Sequence, residues 1–280
     1  MHRQLHTLDR LASEEKGYPP LVFVHGGYTH SACWDVNFLP YFQALGFNCY
    51  AVDLSGHGKS AGRDKLNSFG LDHYADDVGH LVAGLDADPV LIGHSMGAVV
   101  VQRYLEKAPA KAVVMMAPVP PTGLAASGMQ LALRQPEFVA EAERAVRGEY
   151  TANTVRVMRE VYFSPDATME HFAQFQPMVQ DESMLVLTEM MTLAMRLPRR
   201  RPRIPALVIG GQLDMLFAAN RLHFTATGWN ADTCVIPRAG HMLMIDPQWV
   251  SVAEKIHAWL GVKLGLPGHG TRRVPATLAA

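Results

Sequence analysis

The chain has 280 residues, 49% of them hydrophobic and 18% charged, with a formal net charge of −1. That balance supplies a large buried core and excludes a mainly disordered chain. It also excludes a whole-molecule field that would draw in nucleic acid or an anionic membrane.

The first twenty residues include His2, Arg3, Asp9, Arg10, Glu14, Glu15 and Lys16, with no apolar stretch of signal-peptide length between them. Nowhere do 18 apolar residues follow one another, so no membrane-spanning helix is expected, and the protein is expected to be soluble and cytoplasmic. Nearly continuous apolar runs at Leu21–Val24, Asn48–Val52, Val90–Ile92 and Ala112–Met116 predict strands buried on both faces, as in a parallel sheet. Helical patterns at 35–45, 72–86 and 97–107 alternate with them, which predicts α/β layers with right-handed crossovers. Asp72, Asp76, Asp77, Asp86 and Asp88 lie on or beside the second of these helices and are expected at the surface.

Pro118, Pro120 and Pro121 close the first alternation, because proline continues neither strand nor helix. Helical segments at 136–147, 151–162 and 181–195 follow. Eight of the chain's 15 methionines fall between 118 and 203. Their flexible side chains suit an irregular apolar surface, and the stretch reads as an inserted helical lid. Five arginines between Arg196 and Arg203 read as a solvated linker. Strands at Ala206–Ile209 and Cys234–Ile236 and a last helix at 248–260 resume the core, with Trp249, Val252 and Ile256 on one face. The expected organisation is a core in two parts, 1–117 and 204–261, around a lid at 118–203, with a flexible tail at 262–280. Cys33, Cys49 and Cys234 have no C-x-x-C spacing and are expected to be core thiols, not a disulfide framework or a zinc site.

The strongest local signal is Gly93-His94-Ser95-Met96-Gly97, set between a predicted buried strand and a predicted helix. A strand-to-helix turn this sharp strains its central residue and leaves no room for side chains two positions away, hence the two glycines. It also lifts the Ser95 hydroxyl clear at a helix N-terminus, where free N–H groups favour developing negative charge.

Across roughly residues 18–261 the chain resembles the α/β-hydrolase superfamily. Besides the glycine-flanked serine, four segments carry the likeness: His25-Gly26-Gly27, Asp53 to Ser60 (D-x-x-G-x-G-x-S), Gly210-Gly211-Gln212-Leu213-Asp214 and Gly240-His241. The resemblance implies a mostly parallel central sheet with helices on both faces and an inserted helical lid. It also implies the chain order Ser95 as nucleophile, Asp214 as acid and His241 as base. The oxyanion is expected to meet the backbone N–H groups of Gly27 and Met96, with Tyr28 a weaker candidate donor. Asp53 and His57 are read as structural, His25 and His94 as partners of local backbone groups, and Tyr28 and His30 as candidates to face the substrate pocket.

A serine hydroxyl is a weak nucleophile and needs an adjacent base, work for which imidazole is suited. The leading expectation is therefore hydrolysis of a small apolar ester, thioester or lactone through an acyl-enzyme. Similar chains include C–C bond hydrolases, perhydrolases and hydroxynitrile lyases, and a ligand receptor on the same fold is a further alternative. Haloalkane dehalogenases and epoxide hydrolases carry an aspartate where this chain has Ser95. No metal-site spacing and no G-x-G-x-x-G after a first strand occur, so neither a metal nor a dinucleotide cofactor is expected. Nothing in the sequence sets the oligomeric state.

Overall fold

The computed structural model describes residues 4–14, 16–195 and 201–267. Strands β1 (Thr7–Arg10), β2 (Leu21–Val24), β3 (Cys49–Val52), β4 (Val90–His94), β5 (Ala112–Met116), β6 (Ala206–Gly211) and β7 (Asp232–Ile236) form one sheet. Their order is β1-β3-β2-β4-β5-β6-β7. All neighbours run parallel except β1, which pairs antiparallel with β3, Thr7 opposite Val52. The chain steps outward from β2 to β3, then back across to β4. The crevice between the carboxyl ends of β2 and β4 is therefore a topological switch point, where open α/β sheets bind their ligands.

The helices are α1 (Ala32–Asp35), α2 (Phe38–Ala44), α3 (Leu71–Val82), α4 (Met96–Leu105), α5 (Ala125–Arg134), α6 (Phe138–Val146), α7 (Ala152–Tyr162), α8 (Met169–Phe175), α9 (Met184–Met191), α10 (Leu222–Trp229) and α11 (Trp249–Leu264). The inner strands β2 to β6 are covered on both sides, which is why they are nearly continuously apolar. Leu21, Phe23, Ile92, Val114 and Ile209 enter one core, with Trp34 and Phe38 before and on α2 and Ile256 and Leu260 of α11. Val22, Val24, Leu91, Val113 and Val208 point the other way, into a core shared with Tyr74 and Val78 of α3, Val100 of α4 and Trp229 of α10. Helices α5 to α9 all lie between β5 and β6. No described helix is long and apolar enough to cross a membrane.

Several boundaries differ from the sequence reading. The predicted helix at 35–45 is two helices. Asn37 leaves helical geometry at φ −136° and its Nδ2 instead donates to the Met244 carbonyl at 3.0 Å. The one predicted at 181–195 begins later, at α9, where the Ser183 hydroxyl caps the N-terminus by accepting from Val186 N. Helix α11 runs past the expected end to Leu264 and stops at Gly265 with φ 63°, and Leu266 is buried. The expected tail thus starts later than residue 262, and its remainder, 268–280, lies outside the described residues. The same holds for 196–200 of the arginine run. Arg201 is exposed, in keeping with a solvated run, and lays its guanidinium over the Trp229 ring, 5.4 Å from the centroid.

Candidate active site

Ser95 sits between the last residue of β4 and the first of α4, with φ 54° and ψ −116°. A non-glycine residue is seldom held there, and such strain persists only where its surroundings enforce it. Here Ser95 N donates to the Met116 carbonyl at 2.9 Å. A side chain at Gly97 would strike the carbonyls of Val24 and His25, and one at Gly93 would strike the Gly97 carbonyl. The two glycines thus let α4 start against the end of β2.

Beyond β6, the Asp214 carboxylate is held by its own loop. Its Oδ1 accepts from Leu216 N at 2.8 Å and Phe217 N at 2.9 Å. Oδ2 lies 2.8 Å from His241 Nδ1, with both side chains almost wholly buried. A carboxylate on Nδ1 keeps the proton there and leaves Nε2 as the basic nitrogen. His241 N and Met242 N donate to the Tyr162 carbonyl at 3.0 and 2.9 Å. His94 Nε2 meets the His241 carbonyl at 3.0 Å, so its partner is distant in the chain, not local. Burial pushes the His94 ring well below its ordinary pKa, which keeps a second positive charge away from His241.

Sequence reasoning missed Asp246. It is wholly buried and accepts from Ser164 N (2.7 Å), Gly240 N (3.1 Å), Ser164 Oγ (3.2 Å) and Gln248 N (3.1 Å). It ties the loop bearing His241 to the end of α7. The only signal in the sequence was an acidic residue five positions after His241 and directly before Pro247.

Ser95, His241, Gly27, Tyr28 and Met96 line one cavity of about 70 Å³, together with Tyr162, Phe175, Met190, Phe217 and other apolar side chains. A separate, open groove of about 1130 Å³ runs along the other side of the Asp214 loop, between α5, α7 and residues 212–219. Tyr28 lies in the left-handed region at φ 62°. Its hydroxyl pKa is pushed up to about 12 by burial and by the neighbouring Glu182 carboxylate. His30, expected as a candidate to face the pocket, is not part of this lining. Its ring turns towards Asp53, with Nδ1 3.9 Å from Oδ1.

Asp53 ties its loop as expected, accepting from Ser31 N and Lys59 N at 2.9 Å each. His25 donates from Nδ1 to the Gly26 carbonyl (2.8 Å) and accepts at Nε2 from Leu54 N (3.1 Å). His57 is structural in a way the sequence did not show, because its Nε2 meets Glu182 Oε2 at 3.1 Å with both side chains fully enclosed. Burial alone would raise the Glu182 pKa, but His57 and Ser183 N together hold it below the ordinary carboxylate value. Asp77 contradicts its surface expectation: it is fully buried and accepts from Ser55 N at 2.8 Å. Among the described residues no His, Cys, Asp and Glu side chains cluster to hold a metal.

A doubly covered, mostly parallel sheet, a strained serine at its switch point and, on the same cavity, a histidine paired with a buried aspartate define the α/β-hydrolase class. The model of the alpha/beta hydrolase family matches residues 21–253, and the chain belongs to that family. A pyrethroid hydrolase of Sphingobium wenxiniae is 31% identical over 77 residues, covering 28% of this chain and 27% of the relative. Methylesterase 1 of Arabidopsis thaliana is 33% identical over 101 residues, covering 35% of this chain and 38% of the relative. Both alignments thus span well under half of the curated relatives' lengths. An esterase from Exiguobacterium antarcticum superposes with a TM-score of 0.69 at 16% identity, covering 92% of this chain and 96% of that one, a likeness of fold.

Proposed function

We propose that this chain is a serine hydrolase that cleaves a carboxylic ester, thioester or lactone through an acyl-enzyme on Ser95. The observation that carries the reading is the buried 2.8 Å contact between Asp214 and His241 Nδ1, on a ring that shares its cavity with the strained serine. His241 Nε2 takes the Ser95 proton as the hydroxyl oxygen attacks the carbonyl carbon, and later returns it to the leaving group. Asp214 stabilises the imidazolium that forms. The backbone N–H groups of Gly27 and Met96 receive the developing oxyanion, an interaction whose loss typically costs about 3 kcal/mol. The names of the curated relatives, a pyrethroid hydrolase and methylesterases, support ester cleavage over the other reactions of this fold.

The apolar lining favours an apolar acyl group. A cavity of about 70 Å³ holds only two or three waters at about 30 Å³ each, well short of the roughly 300–1000 Å³ of ordinary ligand sites. We therefore read α5 to α9 as a lid whose side chains must shift to admit anything larger than a short acyl group. Ser95→Ala should lower kcat on p-nitrophenyl acetate by roughly 10⁴–10⁶-fold and abolish labelling by a fluorophosphonate probe. A folded Ser95→Ala protein with the wild-type rate would refute the reading, and wild-type protein that takes no label would favour a receptor instead.

A further inference from the structure

The residues joining α8 to α9 are stitched to the loop that follows β2. Gln180 N donates to the Tyr28 carbonyl at 3.0 Å. Gln180 Nε2 donates to the Thr29 carbonyl at 2.7 Å, and its Oε1 accepts from Gly58 N at 3.2 Å. Two residues on, the enclosed Glu182 carboxylate accepts from His57 Nε2 (3.1 Å), the Tyr74 hydroxyl (3.1 Å) and Ser183 N (2.7 Å). Its Oε2 would lie 3.3 Å from a Cβ built on Gly27, so the carboxylate occupies the space beside the residue whose N–H is assigned to the oxyanion. His57 Nδ1 meets a second acceptor, the Ser55 carbonyl, at 3.3 Å. Both ring nitrogens of His57 thus face oxygen acceptors.

Burying a carboxylate is expensive even when it is paired, and well-packed apolar side chains usually serve stability as well or better. A charge placed here needs a purpose other than stability. We propose that Glu182 is a positioning residue of the reaction. Held by His57 and Tyr74, it wedges the Gly27 peptide in the orientation that meets the oxyanion. The helical insertion is then part of the catalytic apparatus as well as its roof. His57 is integral to the device, because an unpaired carboxylate beside Gly27 would repel the negative charge that the site must stabilise. The inference rests on the acyl-enzyme reading above.

The test is steady-state kinetics on p-nitrophenyl acetate for Glu182→Gln, Tyr74→Phe and Arg63→Ala, each checked for folding by circular dichroism. Glu182→Gln should lower kcat by about ten- to a hundred-fold, a partial loss of one oxyanion donor, with KM within about threefold. Tyr74→Phe removes one donor to the carboxylate and should give a smaller loss of the same kind. Arg63→Ala cuts the exposed ion pair to Asp181, on the same segment, and weak 3.3 Å bonds to the Asp181 and Gly56 carbonyls, none of which reaches the Glu182 carboxylate, and should leave kcat unchanged. A merely structural Glu182 would lower stability and leave kcat of the folded protein alone. A folded Glu182→Gln with wild-type kcat, or an equal loss in Arg63→Ala, overturns the proposal. Should Glu182→Gln not fold, wild-type kcat in Tyr74→Phe overturns it instead. Ser95→Ala separates the two failures. If it is inactive while Glu182→Gln is fully active, only the positioning role falls; if it is active, the acyl-enzyme reading falls as well.

Discussion

Asp246→Asn isolates the tie between the His241 loop and the helical insertion. The native carboxylate serves four donors, Ser164 N and Gly240 N on Oδ2 and Ser164 Oγ and Gln248 N on Oδ1. Asparagine has one acceptor oxygen. Its best orientation turns that oxygen to Ser164 N and Gly240 N and offers its amino group to the Ser164 hydroxyl, which can accept. Gln248 N is then left facing another donor. Exchanging two charge-assisted bonds for neutral ones loses about 1 kcal/mol each, and the abandoned, half-buried Gln248 N adds about 1 more, for a total of about 3 kcal/mol. Urea unfolding followed by tryptophan fluorescence should show the midpoint falling by that amount with the slope unchanged. Because Gly240 directly precedes His241, kcat should also fall by about ten- to a hundred-fold from misplacement of the imidazole. A folded variant within about 1 kcal/mol of wild type and with wild-type kcat would show that this carboxylate neither braces the loop nor aims its histidine.

In Asp214→Asn the amide oxygen must stay with Leu216 N and Phe217 N, so the amino group faces His241 Nδ1. That forces the proton to Nε2, where it blocks the base, and kcat should fall by about 10⁴-fold in a folded protein; a loss of less than about tenfold would remove Asp214 from its assigned role. A pH prediction follows from His25, whose pKa burial lowers to about 3, assisted by His57. The unfolded ring titrates near 6.5, so from there down to about pH 3 the unfolded state binds the extra proton. Stability from this group is thus present at neutral pH and lost as pH falls, by about 2 kcal/mol between pH 7 and 5. His94, also lowered by burial, acts with the same sign. Unfolding free energies in urea at the two pH values measure this, and equal or greater stability at pH 5 would contradict it.

The features legible in the sequence were those written in short runs. The inner strands of the sheet, β2 to β6, announce themselves because both their faces are apolar, and the serine turn because its two glycines have no substitute at that spacing. Strand β1 has the sequence Thr-Leu-Asp-Arg and is half exposed, so an apolar-run criterion passes over it. Helix α5 buries only Ser127 and Leu131 and gives little periodicity to find. Asp77 was misread because helical spacing near other acids suggests solvent, whereas its partner is the backbone of Ser55 in another element. His30 was placed near the pocket by proximity in the chain, but a loop residue's direction is set by what its backbone must satisfy, here around Asp53. Asp246 and Glu182 stayed invisible for the same reason: their partners are 82 and 125 residues away.

Those omissions share a physical cause. Five carboxylates are buried among the described residues, Asp53, Asp77, Glu182, Asp214 and Asp246. Each accepts at least one backbone N–H from a loop or helix cap. Loops ordinarily satisfy their backbone with water, but here buried carboxylates take that part. A carboxylate gathers several N–H groups at one point and aims them, which no apolar residue can do. The desolvation each one suffers is the counterpart of fixing loop backbone in place, for Asp214 and Asp246 the loops around His241. The insertion between β5 and β6 takes part in this, supplying the Glu182 carboxylate and the Ser164 donors that Asp246 gathers.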